Sequence, residues 1–397
     1  MPSENKREHA ELEPSLWIMG LGSQYPPFRV TPEKFENFAK SIYGTTNAGI
    51  NQLLKINKAT GIATRASINS YESGFGRSDI PPTIAEMEQM WRKGGVNLTV
   101  QACKKALKEW GGECSDITHT IAVTCTDATC PGYDLRVAEK LGLNNDVKRT
   151  LLAGIGCAGS MTTMRVAAEV ASGASARRRP ARILCFACEL CTLSARCNLD
   201  ETSKTDPVDV SVTGALFSDG ASAFVLCNDF GTEDRDTAVF QLLEWGNTTI
   251  PQTAEYMRFC PSEKGLQIVL TGDVVSHIND AMKPMFERLH PIVEHKEGNR
   301  IAEADFDWAL HPEGATIITS VQQSLGLSDD QLRATKEIYK TRGNASSPTT
   351  VIVLDKLRTM GKGKDYVVAA AVGPGINIEM SILRRCRQED SNDEFAW

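Results

Sequence analysis

The sequence contains no long hydrophobic run and no excess of positive charge. No stretch of 18 or more apolar residues occurs among the 397 residues, so no segment predicts a membrane-spanning helix. The formal net charge of −7 excludes broad nucleic-acid binding, which needs a basic surface. Residues 1–13 are polar and lack the apolar core of a secretion signal, so the twelve cysteines are expected to be reduced thiols in a cytoplasmic protein.

Strands alternate with helices along the chain, which is typical of a layered α/β fold. The apolar runs predict strands at Thr120–Thr124, Ile183–Ala187, Ala223–Leu226, Phe306–Leu310 and Val367–Val372, and helices at Leu98–Trp110 and Thr350–Leu357. The rhythm of the first half returns in the second, so we expect two halves, 14–235 and 236–387. The polar ends, 1–13 and 388–397, are expected to be disordered.

Cys157 is the best candidate for a nucleophile. The segment Leu151–Ser160 reads LLAGIGCAGS, in which an apolar strand precedes the cysteine and small residues open a helix after it. A cysteine at a helix N-terminus experiences a dipole that favours the thiolate. Isolated cysteines are more often buried structural residues, but this context favours acyl transfer, because a thioester keeps the carbonyl electrophilic and the α-carbon acidic.

Histidine is scarce, with six in the chain, and only one has a catalytic context. His311 directly follows an apolar strand and enters the turn HPEG, and chemistry in α/β folds collects at strand ends. Asn344 lies in RGNASSP, where the serines can cap a following helix and Pro348 suits its first turn. A structural histidine and an ordinary Gly-Asn turn remain the alternatives.

Five dispersed motifs carry a resemblance to a known family. GCAGS, ALFSDGASAFVL, HPEGA, GNASS and the C-terminal VGPG occur in the order and spacing of type III, chalcone-synthase-like polyketide synthases of fungi. The likeness extends from about Trp17 to Arg385. It implies a thiolase-like fold, with duplicated βαβαβ halves in a layered αβαβα arrangement, and a homodimer.

The resemblance also implies a reaction. Cys157 takes an acyl group from acyl-CoA, and His311 and Asn344 stabilise the enolate that forms when malonyl-CoA loses carbon dioxide. No metal or redox cofactor is expected. The extender is malonyl-CoA, with a β-ketoacyl-CoA as a further possibility, and an alkyl α-pyrone is the expected product.

The family's binding residues are carried over position by position. Phe217 matches the gatekeeper phenylalanine between the CoA tunnel and the reaction cavity. The positions that shape the cavity are Cys191, Ser194, Phe259, Ile268 and Ser346. Because several of them are small, we expect a medium or long fatty acyl starter. Lys55, Lys58 and Arg65 form a basic cluster for the CoA phosphates, although a solvated helix face is the alternative.

Three other functions compete with this interpretation. A ketoacyl-ACP synthase III-like condensing enzyme shares the Cys, His and Asn set but receives its extender from an acyl carrier protein. A non-catalytic acyl-CoA-binding protein could retain the fold. An iron–sulfur module would use Cys185, Cys188, Cys191 and Cys197, but a strand at Ile183–Ala187 would separate these ligands.

Overall fold

The computed structural model describes residues 15–72, 74–262, 265–270 and 273–388. The two tails expected to be disordered lie outside these ranges, apart from Gln388. The strands of the described chain are β1 (Leu16–Gln24), β2 (Phe28–Val30), β3 (Arg65–Ser67), β4 (His119–Val123), β5 (Lys148–Leu152), β6 (Arg182–Leu190), β7 (Asp219–Asn228), β8 (Phe240–Thr249), β9 (Met257–Ser262), β10 (Gly265–Leu270), β11 (Phe306–Leu310), β12 (Tyr366–Gly373) and β13 (Asn377–Arg385). Its helices are α1 (Pro32–Tyr43), α2 (Ala48–Ala59), α3 (Ile84–Trp110), α4 (Tyr133–Leu141), α5 (Gly159–Ala176), α6 (Ala195–Thr202), α7 (Thr213–Leu216), α8 (Val274–Glu297), α9 (Ala315–Leu325), α10 (Arg333–Arg342) and α11 (Thr349–Arg358).

The strands and helices predicted from apolar runs all occur, most of them longer than predicted. The predicted helix at Leu98–Trp110 is the second half of α3, which begins at a capping box formed by Thr83 and Glu86. Helix α3 stops at Gly111, whose φ of 81° places it in the left-handed region that favours glycine. The first half of α3 is polar and shows no clear apolar periodicity, so the predicted helix is shorter than the observed one.

The sheet topology contains the same four-strand pattern twice. In the N-terminal half the order is β4-β6-β7-β1, and in the C-terminal half it is β11-β12-β13-β8. In each half the first pair is parallel and the next two pairs are antiparallel. Antiparallel pairing of β1 with β8 joins the halves into one nine-stranded sheet, with β5 at one edge. The repeated order and direction are those of a duplicated thiolase-like fold.

The helices divide into three layers around this sheet. Helices α5 and α11 contact each other and strands of both halves, so they form the central layer. Helix α3 packs on β1, β6 and β7, and α8 packs on β8 and β13, which gives the two outer layers. The buried alanines 167, 168 and 171 of α5 let the central helices approach the strands closely. The arrangement is therefore αβαβα.

The repeat strands of the first half end at Asn228, and those of the second begin at Phe240. The predicted division after residue 235 falls in the connection between them. Within the described residues, no helix is both long and apolar enough to cross a membrane.

Candidate active site

Cys157 lies in a short 3-10 turn, Gly156–Ala158, immediately before α5 in the central layer. Its side chain is buried, with 2% exposure. The preceding strand β5 is apolar at its end but lies at the sheet edge, where Lys148 to Leu151 are exposed. The turn therefore brings the chain from the sheet edge into the centre of the molecule, and the cysteine is at the point where it enters.

Glycines and the C-terminal loop fix the shape of this turn. Gly156 has a φ of 61°, and a Cβ there would lie 2.6 Å from Pro374 Cδ. A Cβ at Gly373 would lie 2.6 Å from the carbonyl oxygen of Ile155. Gly156 thus packs against the ring of Pro374 and Gly373 against the backbone of Ile155, and neither contact leaves room for a Cβ. This contact explains why GCAGS and VGPG occur in one chain.

His311 follows β11 and lies inside the protein with 1% exposure. Its Nε2 is 3.0 Å from the carbonyl oxygen of Ser346. Because a carbonyl only accepts, we assign the hydrogen to Nε2, which leaves Nδ1 as the ring's basic atom. Nδ1 lies 2.9 Å from Glu313 Oε1, although the two atoms are not aligned as a hydrogen bond. Sγ of Cys157, a ring nitrogen of His311 and a carboxylate oxygen of Glu313 all lie within 4.8 Å of one another.

Asn344 is fully buried and is held through its backbone and its side-chain oxygen. Its amide donates to Leu216 O at 3.2 Å, and its carbonyl accepts from Ser218 N at 2.7 Å. Its Oδ1 accepts from Ser346 N at 2.7 Å, whereas Nδ2 has no hydrogen-bond partner among the described residues. The amide is thus anchored by its acceptor, and its donor is left for a ligand.

The two serines after Asn344 do not cap α11 with their side chains, so that expectation is wrong. Ser346 Oγ lies 3.5 Å from Cys157 Sγ, and Ser347 Oγ donates to Glu189 Oε1 at 2.5 Å. Pro348 occupies the N-cap position, and the helix begins through a Thr349 N to Ser346 O bond. The serines instead connect the asparagine turn to the nucleophile and to a buried carboxylate.

Burial dominates the electrostatics of the site. Burial raises the pKa of the Cys157 thiol well above its usual value, and the charge of Glu313 raises it further, while the Ser346 hydroxyl lowers it. Glu189 is fully buried, and burial raises its pKa against the hydrogen bonds from Ser347 and Thr126. Burial is thus the largest influence on the pKa of this thiol, and stabilisation of the thiolate by the dipole of α5 stays a prediction.

Four of the six expected gatekeeper and cavity residues line one cavity. One cavity is lined by Cys191, Ser194, Phe217 and Phe259, and its empty space, including the open mouth, is about 380 Å³. The rings of Phe217 and Phe259 meet edge to face at 6.4 Å. Cys157 belongs to the same buried apolar cluster as Cys191 and Phe217. Ile268 lies in β10, and its side chain is outside the part of the chain that the structure describes.

The predicted basic cluster is divided. Lys55 and Lys58 are exposed on α2, and Lys58 pairs with Glu36 at 2.7 Å. Arg65 is buried: it donates to Gly214 O and Phe217 O, lies over the Phe35 ring, and lines the cavity. The prediction of a surface cluster of all three cations is therefore wrong, because Arg65 is not at the surface. Its guanidinium instead supports the backbone next to Phe217.

The four cysteines of the iron–sulfur alternative do not converge. Cys185 Sγ faces Thr163 O, Cys188 Sγ faces Gly95 O, and Cys197 Sγ faces Pro82 O. The single group of three close metal-type ligands among the described residues is instead Cys157, His311 and Glu313. Glu313 and Glu189 were missed in the sequence, although Glu313 is part of HPEG and its proximity to His311 was a usable signal.

Comparison with known proteins places this geometry in a family. The family model described as chalcone and stilbene synthases, N-terminal domain, matches residues 18–230, and the C-terminal domain model matches 241–387. A type III polyketide synthase of Penicillium soppii, pspB, is 50% identical over 390 residues, which cover 95% of this chain and 98% of the relative. The acylalkylpyrone synthase csyB of Aspergillus oryzae is 34% identical over 379 residues, with 94% of each chain covered.

Solved structures agree with the sequence matches. The crystal structure of a fungal type III polyketide synthase, ORAS, superposes with a TM-score of 0.88 at 36% identity, covering 93% of this chain and 99% of that one. CsyB complexed with CoA-SH gives a TM-score of 0.86 at 32% identity, covering 94% of this chain and all of the other.

Proposed function

The chain belongs to the chalcone and stilbene synthase family and is a type III polyketide synthase, and we propose that it extends medium- or long-chain fatty acyl starters to alkyl α-pyrones. The observation that carries the proposal is the convergence of Cys157, His311 and Asn344 beside a cavity whose wall includes the small side chains of Cys191 and Ser194. The name of the Aspergillus oryzae relative, an acylalkylpyrone synthase, supports the product class.

In loading, Cys157 transfers its thiol proton to Nδ1 of His311, because Nε2 is already engaged with Ser346 O. The thiolate attacks the thioester carbonyl of acyl-CoA, the CoA thiolate leaves and takes a proton from solvent, and the His311 ring keeps the proton of Cys157 as an imidazolium. The product is an acyl thioester on Cys157. The Ser346 hydroxyl, 3.5 Å from Sγ, favours the thiolate during this step.

In extension, malonyl-CoA loses carbon dioxide, and negative charge develops on its thioester oxygen. The free Nδ2 donor of Asn344 is placed to stabilise this enolate, with protonated His311 as the second donor. Glu313, 2.9 Å from Nδ1, stabilises the protonated ring. The enolate carbon then attacks the acyl-cysteine, which releases the Cys157 thiolate and lengthens the chain by one ketide. None of these steps needs a metal or a redox cofactor.

Substrate delivery and assembly follow from positions outside the centre. Helix α2, which presents Lys55 and Lys58, contacts α7, the helix directly before Phe217. We assign the two lysines to the CoA phosphates on that basis, and the CoA complex of the CsyB structure supports the same substrate type. Strand β5 has an unpaired edge among the described strands, and Leu151 on it is 39% exposed. Such an edge favours pairing with a second copy of the chain, so we propose a homodimer.

A product analysis tests the proposal. Purified enzyme is incubated with malonyl-CoA and a panel of acetyl, octanoyl, lauroyl, palmitoyl and benzoyl CoA thioesters, and products are identified by mass spectrometry. We expect alkyl pyrone masses from the longer aliphatic starters, and none from Cys157→Ala, whose intact mass should also show no acyl adduct. A preference for benzoyl-CoA would refute the starter class. Turnover only with malonyl-acyl carrier protein would favour the ketoacyl-ACP synthase III-like function instead.

A further inference from the structure

Three potential metal ligands converge at the catalytic cysteine. The Cys157 thiol, a nitrogen of the His311 ring and a carboxylate oxygen of Glu313 lie within 4.8 Å of one another. Exposure is 2% at Cys157, 1% at His311 and 6% at Glu313. A sulfur, an imidazole nitrogen and a carboxylate oxygen are the donor types that zinc uses in proteins.

The hydrogen-bond pattern leaves a place for a cation among these atoms. Nε2 of His311 carries the ring hydrogen, because its partner is the carbonyl oxygen of Ser346. In the neutral ring, Nδ1 therefore turns its lone pair toward Glu313 Oε1, 2.9 Å away. Both atoms are buried without a hydrogen-bond partner. Two acceptors this close repel each other unless a cation, either a proton or a metal ion, lies beside them.

A second buried carboxyl, Glu189, lies near these donors through its hydrogen bond with Ser347. Glu189 itself is not a ligand, since its oxygens accept from Ser347, Thr126 and the amide of Cys125.

We propose that Cys157, His311 and Glu313 form a zinc-binding site that switches off the nucleophile. Zinc–ligand bonds of about 2.0–2.3 Å place neighbouring donors roughly 3.3–3.8 Å apart, so Nδ1 and Oε1 need to separate by only a few tenths of an ångström. The Cys157 thiol loses its proton to solvent as the Zn–S bond forms. Zinc then withdraws negative charge from the sulfur and occupies Nδ1 of His311, the atom that accepts the thiol proton in loading, so acyl loading stops until the metal is removed.

The test uses Zn²⁺ alone with the full-length protein. Zinc affinity is measured by competition with a chromophoric chelator for wild type, Glu313→Gln, Cys157→Ala and Glu169→Gln. Glu169 is the matched control, because it is a carboxylate on α5 with 56% side-chain exposure, paired with Arg165. Groups that only support metal ligands typically contribute about 10–100-fold in affinity, so removing a ligand should weaken binding by at least about tenfold. We expect that loss for the first two variants and none for the control.

A second measurement on the wild-type protein does not depend on the variants folding. Iodoacetamide labelling is located by peptide mass spectrometry with and without one equivalent of Zn²⁺. We expect zinc to protect Cys157 and to leave the exposed Cys130 equally labelled. Unchanged labelling of Cys157, or equal zinc affinity in Glu313→Gln, would mean that the position takes only a proton and would overturn the proposal. Neither measurement contains acyl-CoA, so failure here is distinguishable from failure of the proposed condensation.

Discussion

Replacing Asn344 should separate the two chemical steps of this enzyme. In the Asn344 side chain, Oδ1 accepts a hydrogen bond from Ser346 N at 2.7 Å. The buried donor Nδ2 has no hydrogen-bond partner among the described residues. Asn344→Ala removes both. Asn344→Asp keeps an acceptor for the Ser346 amide and replaces the donor with an oxygen. Comparing the two variants therefore isolates the donor.

The expected magnitude follows from what the donor does. Loss of one donor to a developing oxyanion costs about 2.7–4 kcal/mol, or roughly 10²–10³ in rate. We expect both variants to lose malonyl-CoA decarboxylation by that factor. Asn344→Ala should also lose stability, because an unsatisfied buried N–H at Ser346 costs about 1–3 kcal/mol. Acyl loading should fall less than decarboxylation in either variant, since no hydrogen bond joins Asn344 to the Cys157 thiol among the described residues.

The assay follows the two steps independently. Loading is measured by intact mass after mixing with lauroyl-CoA, and decarboxylation by conversion of malonyl-CoA to acetyl-CoA. Wild-type decarboxylation in Asn344→Asp would refute the assignment of Nδ2 to the enolate. An equal loss of both steps in that variant would mean that Asn344 is mainly structural.

Three further changes test the cavity, the nucleophile turn and a buried carboxyl. Ser194→Leu places a larger side chain in the cavity and should shorten the preferred starter by several methylenes, each worth about 0.8 kcal/mol of binding. Turnover of acetyl-CoA should be unchanged. An unchanged chain-length profile would refute the cavity assignment. Gly156→Ala forces a φ of 61° on a residue whose Cβ meets Pro374, so loading should fall at least about tenfold and stability by about 1–3 kcal/mol, and wild-type loading would contradict this. Burial raises the pKa of Asp219 to about 6 in the folded protein. The protonated carboxyl therefore contributes its full stabilisation below the pKa that Asp219 has in the unfolded chain, and this stabilisation is lost as pH rises through 6. Between pH 5 and pH 7 the wild-type free energy of unfolding should therefore fall by about 1 kcal/mol relative to Asp219→Asn in urea titrations, and a pH-independent difference would show that Asp219 does not titrate there.

The residues that we propose as catalytic stand out in the sequence because each has a strong local context. Cys157 follows a glycine and precedes a helix of small residues, and His311 ends a five-residue apolar strand that the structure reproduces as β11. Such contexts are formed by a few adjacent residues, which remain neighbours when the chain folds. The same reasoning found most strand cores, since β-branched apolar runs stay buried in either half.

What the sequence could not show depends on long-range packing. Arg65 follows two lysines and was grouped with them, but the chain turns after α2 and takes its guanidinium under Phe217. Glu313 was interpreted only as part of a turn, because a charged residue is ordinarily exposed. Its burial depends on how β11 approaches the nucleophile turn, and these segments are about 150 residues apart in the chain. No local pattern encodes that distance.

The duplication explains why three distant segments build one site. Helices α5 and α11 occupy equivalent places in the two halves, as connections leading to β6 and β12, and they contact each other in the central layer. Cys157 lies at the start of the first helix, and the Asn344–Ser347 turn precedes the second. The ends of β4 and β11 are equivalent too, and they deliver Cys125 and His311. The half-related segments meet at Ser346, whose Oγ is 3.5 Å from Cys157 Sγ and 3.9 Å from Cys125 Sγ, and whose carbonyl holds His311. In the mechanism that we propose, equivalent elements thus contribute different chemistry, with a nucleophile from one half and its base and enolate donor from the other, and neither half is catalytic without its counterpart.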